Sequence, residues 1–589
     1  MHTGDLLTEQ LIQYGVTHVF GVPGAQTSAL FDGILKREPH IRHIVMRDEC
    51  NCTFAADAFA RLTHRVGVCD VTVGPGCLKL PSGLMEAYYS SIPILCLISE
   101  LPHSWRYLYD RGAALQAMEQ AKLIEQFCKW IATLNASSDL PTVLATLLRR
   151  AVSGRPGPVA LIVPQDVFDA PVAGNGHGQV EETLGRFPTF RSSPYASDLE
   201  QAARLLLNAK YPALLVGGGI HLAEATTEVK ELAELLTMPV LSTFSGRGTI
   251  EDDHPLSLGL LGNIGTGCAE ESAKTADLLL LVGCKSGQNS TLNWKVPQSE
   301  QAVIHLDIDP SEIGKVFRTQ VGLVGDAKLG LVGLISAAKA LIHELPALAA
   351  QGQERLQRIA SWRDSWRRET SEALTSDESP IKPQRVMEEL NQLTNPEDIV
   401  CCDASYVTGW GMLFYQIRRP GKVILAPRGS AGLGFGIPSA IGAACARPSS
   451  RIIALCGDHG VSYSIGELTT VAYYGLNIKV IIFNNQGSRW IDHYHRISFQ
   501  GTGKPFRWGN TDFATVGRGF GCLGIRVEQP TEIREALRQA MAHSGPAVID
   551  VVVSGEETPI AASRKALERK VHESCHYLSV GAHEFLSLL

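Results

Sequence analysis

The chain has 589 residues, of which 45% are hydrophobic and 19% are charged, so it can form several large cores. A net charge of −7 without a basic block argues against a nucleic-acid-binding surface. No run of 18 apolar residues occurs, and the N-terminus lacks the basic and apolar regions of a signal peptide, so we expect no membrane span and a cytoplasmic location. The 14 cysteines form no CxxC pairs, which favours reduced thiols.

Strand-like apolar runs alternate with helical patterns along the whole chain. They have little internal alternation, as expected for strands that are covered on both faces. In chain order they are HVFGV, GVCDVTV, IPILCLIS and PVALIVP; then PALLVGGG, MPVLSTF, DLLLLVG and AVIHLDID; then DIVCCDA, RIIALCG, KVIIFNN and PAVIDVVV. The pattern predicts an α/β fold of three doubly wound parallel-sheet domains at 1–180, 190–345 and 375–556. A C-terminal tail at 557–589 has a helical pattern; a surface helix is the simpler interpretation and a lid over the active site the alternative.

In the first third, RDECNCTFAADAFAR places Glu49 between an apolar run and a helix of small residues. The pattern alone favours a helix-start carboxylate that is stabilised by the helix dipole. In the last third, RGSAGLGFGIPSAIGAA contains small residues that let the backbone approach a bulky ligand closely, although a tight strand-to-helix turn has the same composition.

The most informative segment is CGDHGVSYSIGELTTVAYYGLNIKVIIFNNQG, which has the pattern of a βαβ unit. Its first strand ends at Asp458 and its second at Asn484 and Asn485, and ligands of open parallel sheets bind at such strand ends. A carboxylate, an amide oxygen and a backbone carbonyl suit Mg²⁺, while the turn Gly457–Gly460 can offer N–H groups to a diphosphate. An ordinary crossover with capped loops fits the βαβ pattern equally well.

This segment resembles the thiamine diphosphate binding motif, in which GDG is followed by NN. The separation of Asp458 and Asn485 (485 − 458 = 27 residues) is similar to that of the acetohydroxyacid synthase, or acetolactate synthase, branch. The resemblance covers nearly the whole chain and implies thiamine diphosphate and Mg²⁺ as cofactors. It implies that Asp458, Asn485 and the carbonyl of Gly487 hold Mg²⁺, and that the turn with Gly457, Gly460 and His459, which replaces the usual Gly, faces the diphosphate.

The same resemblance assigns the pyrimidine side of the cofactor, with the first domain binding pyrimidine and the third binding diphosphate. It implies that Glu49 hydrogen-bonds the ring nitrogen N1′ and promotes removal of the thiazolium C2 proton. Leu433 would lie beneath the bent cofactor, with the carbonyl of Ala431 at the pyrimidine. The resemblance further implies Pro23 and Gly24 as lining residues and Gln116 as an active-site glutamine. On the diphosphate side the chain departs from the family: DASYVTGW replaces a segment rich in Gln and His, and Ser405, Tyr406 and Thr408 could supply hydroxyl donors there.

The middle domain limits the cofactor set. It reads GCKSGQNSTLNW where flavin-binding members carry an Arg-rich segment, so we expect no flavin. A further departure is Lys79, which replaces the Asn of the GPGxTN segment and leaves the contacts around that residue undefined.

The resemblance implies a transferase of the acetolactate synthase type, which decarboxylates a 2-oxo acid and ligates the product to a second carbonyl. A carbon–carbon lyase acting on a 2-hydroxyacyl-CoA or a 2-oxo acid is the alternative. Substrate specificity is weakly encoded, because Trp490, His493 and His495 lie in a segment that departs from the family and fit either a pocket wall or a plain loop. The family also implies small-molecule substrates and a homodimer with shared active sites, or a homotetramer. The charge and the apolar runs already predict no nucleic-acid or membrane partner.

Overall fold

The computed structural model describes residues 1–172, 180–342, 348–499, 501 and 504–560. Within them it confirms three parallel sheets of six strands with flanking helices. The tail predicted at 557–589 lies outside the described residues from 561 onward. None of the described helices combines the length and the apolar character that crossing a bilayer requires.

The apolar runs that predict strands in the first third of the chain form strands of the first domain. Its strands are β1 (His18–Gly21), β2 (Arg42–Val45), β3 (Gly67–Val71), β4 (Ile94–Glu100), β5 (Trp130–Thr133) and β6 (Val159–Pro164). Its helices are α1 (Thr3–Gln13), α2 (Ser28–Leu35), α3 (Glu49–Thr63), α4 (Pro75–Ser90), α5 (Arg106–Tyr109), α6 (Gln120–Ile124), α7 (Leu140–Val152) and α8 (Gln165–Phe168). The strand order is β2-β1-β3-β4-β6-β5.

The central domain has the same layers but a different strand order. Its strands are β7 (Pro212–Val216), β8 (Val240–Ser242), β9 (Ser257–Leu260), β10 (Leu278–Val282), β11 (Ala302–Asp307) and β12 (Val321–Val324). Its helices are α9 (Ala196–Asn208), α10 (Gly219–Leu222), α11 (Thr226–Leu236), α12 (Gly267–Thr275) and α13 (Ala327–Leu341), and α14 (Leu348–Leu374) leads to the third domain. The strand order is β12-β11-β10-β7-β8-β9. The order in which strands are added along the chain changes sense between β7 and β10, which are parallel neighbours.

The third domain repeats the topology of the first. Its strands are β13 (Ile399–Cys402), β14 (Ile424–Leu425), β15 (Ile452–Gly457), β16 (Ile478–Asn484), β17 (Leu523–Val527) and β18 (Ala547–Val552). Its helices are α15 (Pro383–Leu393), α16 (Tyr406–Phe414), α17 (Gly436–Ala446), α18 (Asp458–Ser462), α19 (Leu468–Tyr473), α20 (Arg489–Phe499), α21 (Phe513–Gly519) and α22 (Ile533–Ala542). The order β14-β13-β15-β16-β18-β17 is that of the first domain, strand for strand.

The first and third domains share one continuous hydrophobic core, whereas most of the central domain packs around a separate core. Helices α3 and α17 pack with their backbones in direct contact. A methyl group at Gly442 would lie 2.1 Å from the carbonyl oxygen of Ala55. The buried carboxylate of Glu86 on α4 accepts hydrogen bonds from the N–H groups of Gly429 (3.0 Å) and Ser430 (2.7 Å). The loop that precedes α17 is therefore fixed to the first domain.

Candidate active site

The side chains of Asp458 and Asn485 and the carbonyl group of Gly487 converge where β15 and β16 end side by side in the third sheet. Asn485 Oδ1 lies 3.2 Å from Asp458 Oδ1 and 2.8 Å from the carbonyl oxygen of Gly487. Mutual repulsion of three acceptors is unfavourable unless a cation lies between them or the amide turns over to donate to both. Mg²⁺ with bonds of about 2.0–2.1 Å holds adjacent octahedral ligands about 2.9 Å apart, so the donor set and its spacing fit that ion. The neighbouring Asn484 has different partners, since its amide nitrogen donates to Asp550 Oδ1 (3.0 Å) and to the carbonyl oxygen of Thr511 (2.9 Å).

The other oxygen of the Asp458 carboxylate is held by two donors. Oδ2 accepts hydrogen bonds from the N–H of Gly487 (2.9 Å) and from the indole N–H of Trp508 (3.1 Å). The Trp508 ring also packs edge-on against His459, with the ring centroids 4.9 Å apart. Burial has the largest effect on the pKa of Asp458 and raises it to about 6, although the two donors lower the pKa. A divalent cation would offset that cost of burial by favouring the ionised carboxylate.

Asp403, at the end of β13, connects the diphosphate turn to the Leu433 loop. Its Oδ1 accepts hydrogen bonds from the N–H groups of Ala404 (2.6 Å) and Gly434 (2.9 Å). Gly460 packs against the same carboxylate so closely that a methyl group there would lie 2.9 Å from Asp403 Cγ. Burial raises the pKa of Asp403 to about 6. One buried carboxylate thus fixes both backbone segments that were predicted to face the cofactor.

The hydroxyl groups of DASYVTGW have different roles. Tyr406 lies 2.9 Å from His493 Nδ1, and His493 Nε2 lies 3.0 Å from the carbonyl oxygen of Gly555. Burial lowers the pKa of His493 to about 4, so the ring is neutral at pH 7. Since a carbonyl only accepts, Nε2 carries the proton and Nδ1 accepts from the Tyr406 O–H. Thr408 is fully buried and donates to the carbonyl oxygen of Asp403, so its hydroxyl is not free for a ligand.

A cavity of about 320 Å³ collects most of the predicted site. Ten of the predicted residues line it: Ser405, Tyr406, Ala431, Leu433, Gly457, Asp458, His459, Gly460, Asn485 and Gly487. Trp490 and Arg428 are further lining residues. All ten belong to the third domain, so this cavity is the diphosphate and metal half of the expected site.

Besides the buried Thr408, four predicted residues do not line this cavity, and they lie on the first domain: Pro23, Gly24, Glu49 and Gln116. Glu49 opens α3, is 8% exposed, and lies 3.3 Å from the ammonium group of Lys79, which also pairs with Asp48 at 2.8 Å. A methyl group at Gly76 would lie near both Thr72 and Glu49, and one at Gly24 would meet Thr72.

Gln116 belongs to the same cluster through the turn that opens α4. A methyl group at Gly74 would lie 2.6 Å from its carbonyl oxygen, and its side chain is exposed. Gln120, which the sequence interpretation missed, is the buried glutamine of this region. Its Oε1 accepts from the N–H of Gly74 (3.1 Å), and its Nε2 donates to Glu100 Oε2 (2.8 Å).

Backbone strain is present in both clusters. Positive φ angles occur at Gln116 (67°), Ser405 (73°), Ala431 (55°) and Gln486 (57°), the last of which lies between Asn485 and Gly487. Each costs a non-glycine residue about 1–3 kcal/mol, and such strain is commonly retained where a ligand site requires the conformation. The strain therefore supports a functional role for the two clusters independently of the motifs.

Comparisons with known proteins agree with this division. Three family models match the chain: thiamine pyrophosphate enzyme, N-terminal TPP binding domain, at residues 1–123; central domain, at 199–334; and C-terminal TPP binding domain, at 403–551. A probable acetolactate synthase 2, chloroplastic, of Oryza sativa subsp. japonica is 32% identical over 94% of this chain and 83% of its own length. An acetolactate synthase of Arthrospira platensis is 30% identical over 94% of each chain, and a probable acetolactate synthase large subunit of Methanocaldococcus jannaschii is 29% identical over 95% of this chain and 93% of its own.

Proposed function

The chain belongs to the thiamine pyrophosphate enzymes, and we propose that it is a transferase of the acetolactate synthase type that requires thiamine diphosphate and Mg²⁺. The observation that carries this proposal is the cage of Asp458, Asn485 and Gly487 oxygens beside a cavity that holds the predicted diphosphate turn. When bound, thiamine diphosphate supplies a nucleophilic carbon for attack on a 2-oxo acid and a sink for the electrons released with CO₂.

The residues of the third domain would bind and orient the cofactor. Asp458, Asn485 and the carbonyl of Gly487 would hold Mg²⁺, which leaves coordination positions for phosphate oxygens. Leu433 and Ala431 line the same cavity and would position the pyrimidine. Asp403 fixes the loop that carries both of them through the N–H of Gly434.

Glu49 would carry out the proton chemistry from the first domain. It is largely buried, so its carboxylate has few water contacts and can form a strong hydrogen bond with a ring nitrogen. Lys79 pairs with it from α4 and with Asp48, which also caps α3 by accepting from the N–H of Cys50 (2.9 Å). These contacts hold the start of α3 in one orientation.

We propose further that two chains share each active site. In the described residues, Glu49 and its cluster do not line the cavity that Asp458 lines, which favours a site completed by a second chain. A two-fold dimer would bring the first domain of one chain to the third domain of the other and would form two equivalent sites.

Subunit complementation tests this arrangement. Glu49→Gln and Asp458→Ala chains should each be inactive alone, and the two are mixed after dissociation. Shared sites restore activity toward about a quarter of wild type, because half of the dimers are mixed and half of their sites are intact. Absence of recovery, with subunit exchange demonstrated by a tagged chain, contradicts sharing.

The reaction itself is tested with cofactor-free protein and pyruvate. Addition of both thiamine diphosphate and Mg²⁺ should release CO₂ and form acetolactate, whereas either one alone should not. Release of CO₂ with acetaldehyde as the organic product would instead identify a decarboxylase. Full activity without metal would contradict the role of the oxygen cage.

A further inference from the structure

A second cavity, of about 370 Å³, lies between the first and central domains. The carboxyl ends of β7, β8, β10 and β11 contribute Gly217, Thr243, Gly283 and Asp307 to its lining. Two residues, Asn289 and Arg428, line both this cavity and the cofactor cavity. The two spaces therefore meet at the Arg428 side chain.

Arg428 has no hydrogen bond or ion pair with the described part of the chain. Its guanidinium group lies over the ring of Phe244, at 4.4 Å from the centroid, and burial lowers its pKa. The nearby carboxylate of Glu86 is already used by Arg61, Ser90 and the loop backbone. A partly buried guanidinium with five donors and no anion is costly, so its position favours a ligand that brings a negative charge.

The other cations of the second cavity are satisfied. Arg155 pairs with Glu312 at 3.3 Å and donates to Ser91 Oγ at 3.0 Å, while Lys285 donates to the carbonyl oxygen of Tyr89. Arg428 therefore differs from its neighbours in having its donors unused among the described residues.

The backbone that carries Arg428 is rigidly held. Gly429 packs on α4 so closely that a methyl group would lie 2.3 Å from the carbonyl oxygen of Glu86, and the Glu86 carboxylate fixes the N–H groups of Gly429 and Ser430. The guanidinium group also lies against the Phe244 ring. Its donors are thus oriented before a ligand arrives, which reduces the entropy cost of binding.

We propose that Arg428 binds the carboxylate of the acceptor 2-oxo acid, and so selects oxo acids over aldehydes as the second substrate. This inference rests on the proposed function. The donor loses its carboxylate as CO₂, and a strong ion pair with that group would stabilise the ground state against the reaction. The acceptor keeps its carboxylate throughout, so a fixed guanidinium can position it without opposing any bond change.

The experiment compares two acceptors that differ only in the carboxylate: 2-oxobutyrate and propanal, each with pyruvate as donor. In Arg428→Met we expect formation of 2-aceto-2-hydroxybutyrate to fall about 10²-fold, the effect of truncating one partner of a desolvated charge pair. Formation of 3-hydroxypentan-2-one from propanal should stay within about twofold of wild type, because that acceptor has no charge to pair. Arg428→Lys should recover part of the loss, since it keeps the charge without the planar fork.

Arg155→Met is the matched control, because Arg155 lines the second cavity only. It should leave the ratio of the two products unchanged. Equal losses with both acceptors in Arg428→Met would overturn the proposal. Weakened binding of thiamine diphosphate would also overturn it, because the guanidinium would then serve the cofactor.

A binding measurement separates this proposal from the proposed reaction. Oxamate, an unreactive analogue of a 2-oxo acid, is titrated into protein loaded with cofactor and followed by tryptophan fluorescence, to which Trp490 in the cavity wall contributes. If wild type forms no ligation product, the proposed function fails, while an oxamate affinity about 10²-fold weaker in Arg428→Met still supports the carboxylate site. Equal oxamate affinities in the two proteins would contradict it.

Discussion

The first and third domains have the same strand order but carry different polar side chains at the carboxyl ends of their strands. In the first, the loop after β2 leads to Glu49, a carboxylate next to an ammonium group. In the third, neighbouring strands β15 and β16 lead to Asp458 and Asn485, whose oxygens converge. The topology fixes where side chains meet, at the carboxyl ends of the strands, and under the proposed function a few residues would decide whether that edge handles protons or holds a cation.

Replacing Glu49 by Gln tests the proton side and should have the largest effect. The amide can still hydrogen-bond a ring nitrogen but cannot exchange a proton, so release of the cofactor C2 proton should slow by about 10²–10⁴-fold. Hydrogen–deuterium exchange of the bound cofactor measures this rate directly. Asp48→Asn is the control, because asparagine caps a helix as well as aspartate does. An unchanged rate in Glu49→Gln would remove Glu49 from the mechanism.

Replacing Asp403 by Asn tests a buried carboxylate that the first domain lacks. Asp403 follows β13 in the third domain, whereas Val22 follows the equivalent strand β1 in the first. Because burial raises the pKa of Asp403 to about 6, the folded protein holds this proton between pH 4 and 6 while the unfolded chain releases it. The resulting stabilisation is complete below pH 4 and is lost as the pH rises to 6, which amounts to about 3 kcal/mol. The amide stays neutral at every pH.

The measurement is the free energy of unfolding by urea for both proteins between pH 4 and 7. The wild type should lose stability relative to Asp403→Asn across that range, whatever the constant offset between them. Parallel curves would show that Asp403 has the same affinity for protons in the folded and unfolded states.

Replacing Trp508 by Phe tests the second contact of the cage carboxylate. The ring can still pack on His459, but Asp458 Oδ2 loses its indole donor. Loss of such an outer contact costs about 10–100-fold in metal affinity, so the Mg²⁺ concentration for half activity should rise by that factor while the maximal rate recovers at high Mg²⁺. An unchanged titration would show that Trp508 does not orient the carboxylate.

The smallest effect is expected from Tyr406→Phe. His493 Nδ1 would lose its donor, which costs a buried acceptor about 1–2 kcal/mol in unfolding free energy. Thermal unfolding measures it, with Tyr473→Phe as control because that side chain is 75% exposed. Equal unfolding temperatures for the two variants would mean that the hydrogen bond contributes nothing to stability.

The sequence predicted the layers and most of the third-domain cavity, for a physical reason. Buried parallel strands are continuous apolar runs, so their ends could be located at Asp458 and Asn485 without knowledge of the fold. Trp508 could not be found in this way, because it reaches Asp458 from 50 residues away through a loop without regular pattern.

Other contacts depend on packing that no local pattern encodes. The segment DASYVTGW directs attention to its hydroxyl residues rather than to Asp403. No pattern in the segment shows that Thr408 donates to the backbone. Gln120 lies four residues beyond Gln116, and only the fold decides that it is the Gln120 side chain that accepts from the N–H of Gly74. The number of chains that complete the site stays a prediction.

The bond between Glu86 and the N–H of Gly429 joins residues that are 343 positions apart in the sequence. At about 5–20 residues per second, roughly 20–70 s of synthesis separate the two partners. During that time the first domain has left the ribosome, but its Glu86 carboxylate and the surrounding helix faces are not yet covered by the third domain. Nascent chains should therefore depend on chaperone protection until translation is almost complete, and truncation before residue 429 should give aggregates rather than a stable first domain.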